Sequence, residues 1–239
     1  MEKFKIIEKI GNGFFSEVFL IENKISKNKY AVKFCNKQSP YFEYTWDEIE
    51  FLQNVRHENI IKMNEYFEDE KYVYIVLEYF ESITLDTFIN KNISCNVSSC
   101  AKSKIIAQII NTIQYIHTNQ YIHGDLNLNN ILINDQNQIK IIDFGLSKKY
   151  SDNRTKIIGE FIFCSPETIK YKEISYASDL WSLGIVLFKL LTGKFPFEGN
   201  NIKSLSLRIL NKEINYKNIN EKSLLKKLLK KDPKKRFLN

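Results

Sequence analysis

Along residues 4–77 apolar positions alternate with polar ones or fall into short β-branched and aromatic runs, at 4–10, 15–21, 30–34, 66–68 and 72–77. That pattern predicts strands. One stretch, 44–55, follows helical spacing and interrupts them. Near residue 80 the period changes: Ile105, Ile106, Ile109, Ile110, Ile113 and Ile116 make a one-sided stripe at helical spacing. The run 180–191 is apolar almost throughout, with Lys189 inside it, and reads as a buried core helix. Leu224, Leu225, Leu228 and Leu229 stripe a last helix. With no internal repeat and no Pro/Gly/Ser linker, the pattern predicts two subdomains, a strand-rich one followed by a mainly helical one.

Composition narrows the class. A chain of 239 residues and 28.3 kDa fits one bilobed unit, and 44% hydrophobic with 13% aromatic residues fills a core that a disordered chain lacks. Abundant Ile, Asn and Lys beside only 8 Gly and 4 Pro point to a base-composition bias in the coding DNA, so these residue types carry little weight alone. The net charge of +7 permits an anionic partner. The densest basic run, Lys226, Lys227, Lys230, Lys231, Lys234, Lys235 and Arg236, alternates with leucines, however, and reads as a solvated helix face; neither nucleic acid nor membrane is an expected partner. Cys35, Cys95, Cys100 and Cys164 form no C-x-x-C pair and read as free thiols in a reducing compartment. The N-terminus lacks the apolar core of a secretory signal, and no uncharged apolar stretch reaches 18 residues. A cytoplasmic or nuclear protein is expected.

Candidate chemistry begins at Ile10-Gly11-Asn12-Gly13-Phe14-Phe15-Ser16-Glu17-Val18, between two predicted strands. Glycines let backbone N–H groups approach phosphate oxygens, although a hairpin turn would look the same. Because a strand follows rather than a helix, a dinucleotide-binding turn is disfavoured. In Tyr30-Ala31-Val32-Lys33 a lysine sits inside an apolar strand and needs an anion unless it snorkels outward. Glu48 in the following helix is a candidate partner; Glu50 lies about 200° around that helix. The densest cluster, 122–132, holds His123, Gly124, Asp125, Asn127, Asn129 and Asn130 between apolar runs, followed by Asp143-Phe144-Gly145. Asp125 can accept a proton, and Asn130 with Asp143 offers the hard oxygens that suit Mg²⁺ completed by phosphates. A turn or cap would explain any one of these aspartates alone; their joint spacing would not be needed for that.

These motifs together resemble a eukaryotic protein kinase domain, from about residue 4 to 236. Residues 10–18 resemble the Gly-rich loop, Ala31-Val32-Lys33 the third-strand lysine, Glu48 its helix partner, and Leu77-Glu78-Tyr79 the adenine-binding hinge. Ser165-Pro166-Glu167 resembles A-P-E, residues 178–184 the buried central helix, and Arg236 the partner of Glu167. The resemblance implies an α+β bilobal fold, with a small β-rich lobe over about 1–78, a hinge over about 78–81 and a larger helical lobe over 82–239. It also implies ATP and Mg²⁺ as cofactors and a protein substrate. Adenine would lie against Val18, Ala31 and the hinge, near Ile10, Gly11 and Gly13, with Lys33 on the phosphates, Asp125 as base and Asn130 and Asp143 on metal. Serine or threonine is the default acceptor. The chain stops three residues after Arg236, where the family usually continues into another helix, so a partner covering that end is an expectation.

Three positions depart from the family pattern. Gly124 stands where an arginine usually receives an activation-loop phosphate, which predicts no such switch at Thr155. Asn127 replaces a lysine that touches the γ-phosphate, and Glu160 replaces the threonine that bonds that lysine and the catalytic aspartate. Losing one electrostatic contact of this kind costs on the order of 10²–10³ in rate. Glu160 is expected to repel Asp125 unless Lys148 or Lys149 intervenes. An active protein kinase, a pseudokinase acting as a binding module, and a small-molecule phosphotransferase similar around residues 123–126 all stay open. The last lacks counterparts of Ser165-Pro166-Glu167 and of Asp179 with Trp181.

Overall fold

The computed structural model describes residues 1–13, 16–92, 97–150 and 159–237. Strands β1 (Phe4–Asn12), β2 (Ser16–Asn23), β3 (Lys29–Asn36), β4 (Met63–Glu68) and β5 (Tyr72–Glu78) form an antiparallel sheet in the order β1-β2-β3-β5-β4, with helix α1 (Glu43–Asn54) between β3 and β4. The strand period of two separates the faces. Val32, Tyr74 and Val76 join Phe4 and Ile21 in a small cluster on one face, whereas Cys35, Val73, Ile75 and Leu77 join the large core on the other. Lys33 lies in register between Val18 and Ile75, on the strand face it shares with Cys35. That face packs under α1.

Beyond Glu78 the chain is mainly helical, with short strands: β6 (Ile83–Thr84), α2 (Leu85–Lys91), α3 (Ser99–Thr118), β7 (Tyr121–Ile122), β8 (Ile131–Ile133), β9 (Ile139–Ile141), β10 (Lys148–Lys149), α4 (Pro166–Tyr171), α5 (Tyr176–Thr192), α6 (Ile202–Asn211) and α7 (Lys222–Leu228). The isoleucine stripe is the buried face of α3, whose start is capped by Ser98 accepting from Ala101 N. Helix α5 is buried nearly all round, from Ser178 to Leu190. Ser175 and Ser178 bond each other's backbone at its start, and Gly193, at φ +72°, ends it. One core cluster runs from α1 through α3 and α5 to Leu229. No helix among the described residues is long and apolar enough to cross a membrane. Cys35, Cys100 and Cys164 are free thiols, and Cys95 lies outside the described residues.

The last helix differs from expectation. It ends at Leu228, so the basic run is not one solvated face. Pro233 disfavours a helical Asp232, which adopts φ −77°, ψ 115°, and Arg236 captures the carbonyl of Lys230 at 2.7 Å. Lys231 instead lies over the Phe197 and Trp181 rings, at 4.3 and 5.2 Å from their centroids, and burial pushes it down to about 8. Arg236 is buried, with Nη1 2.5 Å from Glu167 Oε1 and Nη2 2.7 Å from Oε2, which ties this segment to the start of α4.

Removing one side of a buried ion pair leaves the other charge uncompensated. Arg236→Ala is therefore expected to lower unfolding free energy by about 3–5 kcal/mol, read from urea denaturation. The double substitution Glu167→Gln with Arg236→Met should recover part of that loss. An unchanged midpoint in the single variant would contradict the structural weight given to this pair.

Candidate active site

Lys33 is buried, so its ammonium needs anions, and it has two. Its Nζ donates to Glu48 Oε1 and Oε2 at 2.8 and 2.6 Å, and to Asp143 Oδ1 at 3.1 Å. Burial alone would lower Lys33; Asp143 and Glu48 overcome it and hold the ammonium above its usual value. Asp143 is likewise penalised by burial, but Lys33 keeps it ionised, below the usual carboxylate range. Glu48 reaches Lys33 because α1 turns residues 45, 48, 49 and 52 inward, while Glu50 points elsewhere and pairs with Lys149 at 2.5 Å. Asp143 sits at φ +63°, and Phe144 after it is fully buried, stacked on Phe51 of α1 at 4.1 Å.

The segment from His123 to Asn130 is held from below and within. Asp179 of α5 accepts from the backbone N–H of His123 at 2.8 Å and of Gly124 at 3.0 Å, and meets His117 Nε2 at 2.9 Å. Burial pushes the Asp179 carboxyl up, but these donors hold it below its ordinary value. Both Asn130 N–H groups go to Asp125, one to its carbonyl at 2.9 Å and one to Oδ2 at 3.0 Å, which leaves the Asn130 Oδ1 as its group for a ligand. Burial, then Asp143 and more weakly Glu160, push Asp125 up to about 7 against hydrogen bonds from Asn127 and Asn130.

A cavity of about 390 Å³ lies between the sheet and the helical part. Ile10, Gly11, Gly13, Val18, Ala31, Lys33, Glu78, Tyr79, Asn130 and Asp143 line it together; Glu48 stands behind Lys33, and Asp125 behind Asn130. Neither Gly11 nor Gly13 has positive φ, so unusual backbone angles are not what calls for them; Phe14 and Phe15 lie outside the described residues. The Glu78 carboxylate turns away to Lys140 at 2.6 Å and Lys62 N at 2.8 Å, leaving its main chain at the cavity. Asn12 and Asn129, named above within their motifs, also line it, as do Ile61, Phe80, Thr84, Leu132 and Ile142, which were not singled out in the sequence. Leu132 and Ile142 each stand within two residues of Asn130 or Asp143, so their neighbours were the available signal.

The model of the protein kinase domain matches residues 4–238. The chain belongs to the protein kinase family. Over 244 residues it is 31% identical to a cAMP-dependent protein kinase catalytic subunit of Dictyostelium discoideum, covering 99% of this chain and 37% of that protein. It is 34% identical over 244 residues to a probable serine/threonine-protein kinase MARK-A of the same organism, covering 98% and 23%. To the serine/threonine-protein kinase PrkC of Bacillus subtilis (strain 168) it is 31% identical over 225 residues, covering 88% and 34%. The chain thus spans less than two fifths of the length of each of these relatives. The family it belongs to uses ATP and a divalent metal.

In this kinase domain the three departures have distinct structural consequences. Asn127 is buried and turned into the loop: Oδ1 accepts from Asn129 N at 2.9 Å and Asn130 N at 3.0 Å, and Nδ2 donates to the Asp125 carbonyl at 3.2 Å. It caps the loop rather than reaching toward a phosphate. Glu160 is exposed and accepts from Asn129 Nδ2 at 3.0 Å. Gly159 beside it has φ +112°, and a Cβ there would overlap Asp125 Oδ1. No cation pairs with Glu160 among the described residues; Lys149 is engaged by Glu50, and Lys148 lies in β10 opposite Ile122. Thr155 lies outside the described residues.

Gly124 has φ +79°, and a Cβ there would stand 2.6 Å from the Leu146 carbonyl oxygen. The turn after Asp143 fills the space a side chain would take. Gly124→Ala is expected to cost about 1–3 kcal/mol in urea unfolding, from strain plus displacement of Leu146. A variant as stable as the parent would show that this approach is not constrained.

Proposed function

We propose that this domain transfers the γ-phosphoryl group of ATP to a protein serine or threonine hydroxyl. One observation supports the reading most: an ammonium and two oxygen donors line a single cavity with a candidate base directly behind one of them, Lys33 lying 3.1 Å from Asp143 and Asn130 3.0 Å from Asp125. Lys33, kept charged and aimed by Glu48, holds the α- and β-phosphates. Val18 and Ala31 clasp the adenine against the main chain at Glu78 and Tyr79. Asp125 orients the acceptor hydroxyl and takes its proton as the oxygen attacks phosphorus in line.

The donor set fits Mg²⁺. Asn130 and Asp143 offer two hard oxygens, and the described residues contain no cluster of three or more His, Cys, Asp or Glu that would cage a metal without phosphate. When bound, Mg²⁺ neutralises charge developing on the transferring group. Asp125 is raised first by burial and then by the Asp143 charge, and the second of these would weaken with a cation on Asp143.

The inward turn of Asn127 favours a second reading, a pseudokinase that holds nucleotide without efficient transfer, because no cation among the described residues replaces the usual lysine. The default Ser/Thr acceptor rests on the relatives named above. Incubation of the protein with labelled ATP, Mg²⁺ and a mixed protein substrate separates the readings. Transfer is expected, lost in Asp143→Ala and on chelating the metal, and reduced about 10²–10⁴-fold in Asp125→Asn. ATP binding without transfer would support the pseudokinase; selective phosphorylation of a metabolite would overturn both.

A further inference from the structure

The acceptor side of the cleft has a charge balance at odds with the chain as a whole. The protein carries a net +7, yet Asp143 and Glu160 both act on Asp125 there, and among the described residues the cation at these groups is Lys33, already engaged by Glu48 and Asp143. Asn127 brings no charge and is folded into the loop. Of the three carboxylates, Asp143 has Lys33, Asp125 is half-buried against the amide of Asn130, and Glu160 is the exposed one, bonded among the described residues to the neutral Asn129. It is therefore the carboxylate with capacity for an incoming cation.

Its placement is defined as well as open. Asn129, which lines the nucleotide cavity, holds Oε1 of Glu160 at 3.0 Å, so the carboxylate is anchored to the segment that carries Asp125. Gly159, one residue away, runs against Asp125 itself. An extended peptide rises about 3.3 Å per residue, so with its hydroxyl at Asp125 a side chain one or two residues away falls within reach of Glu160.

We infer that Glu160 is a specificity-determining residue that selects substrates with a lysine or arginine within two residues of the acceptor hydroxyl. The basic side chain bonds the free Glu160 oxygen and brings to the acceptor side the positive charge that Asn127 does not supply. This rests on the kinase reading above and adds the substrate class.

The test uses the full chain and one serine peptide in three forms, with Arg, Gln or Glu two residues from the acceptor. In the parent protein, kcat/KM for the Arg form should exceed that for the Gln form by about tenfold, as expected of a charge-assisted hydrogen bond. The ratio should shrink with added salt. Glu160→Gln should bring it close to one, and Glu160→Lys should reverse it toward the Glu peptide, with MgATP affinity and melting temperature checking that each variant folds. Equal rates on all three peptides in the parent, or a ratio untouched by both substitutions, would overturn the inference while leaving the kinase reading intact. If no peptide is phosphorylated, the kinase reading fails instead. The same peptides' Kd values, from fluorescence anisotropy with nucleotide present, then decide the inference: an Arg preference lost in Glu160→Gln supports it, and equal affinities sink it.

Discussion

An ammonium buried in the fold is the constraint around which the rest of the domain is arranged. Lys33 stands on the inner face of β3, where an unpaired charge would be untenable, and Glu48 from α1 and Asp143 from beyond β9 reach it from separate elements. Pairing with Glu48 sets the rotation of α1. Pairing with Asp143 brings the helical part to the sheet, and Phe144 stacked on Phe51 locks the same junction with apolar surface. A polar requirement and a packing requirement thus converge on one arrangement, and the cavity is the space they leave.

Two further carboxylates act from below. Asp179 holds the backbone of His123 and Gly124 from the centre of α5, so the segment bearing Asp125 is referenced to the most buried helix. Glu167 with Arg236 fastens α4 to the chain end across the Trp181 surface, where the guanidinium lies 5.0 Å from the ring. Asp125, Asn130 and Asp143 are therefore carried by irregular segments, while buried charges on helices keep those segments in place.

Much of this was legible in the sequence. Alternation marks a half-buried strand and a one-sided stripe marks a packed helix, so the strands around Lys33 and the isoleucine face of α3 could be read from period alone. Helical phase likewise separated Glu48 from Glu50. What escaped depends on long-range bonds. Pro233 is a local signal for the end of α7, but Arg236 drawing in the Lys230 carbonyl and Lys231 covering Trp181 and Phe197, which divide the basic run, leave no local pattern. The inward turn of Asn127 was hidden for a similar reason, since an amide caps a loop or faces a ligand with the same one-letter code. Leu132 and Ile142 were missed as cavity walls because an apolar residue beside a motif reads as ordinary core.

Calorimetric titration of MgATP into the parent protein and into Lys33→Met, with far-UV circular dichroism to establish that the variant is folded, measures what the Lys33 ammonium contributes to nucleotide binding. Saturable binding that weakens at least about tenfold in the variant is the expected result, since a charge-assisted contact to phosphate is removed. Heat release that is absent in the parent, or undiminished in Lys33→Met, would contradict the assignment of this ammonium to a nucleotide triphosphate.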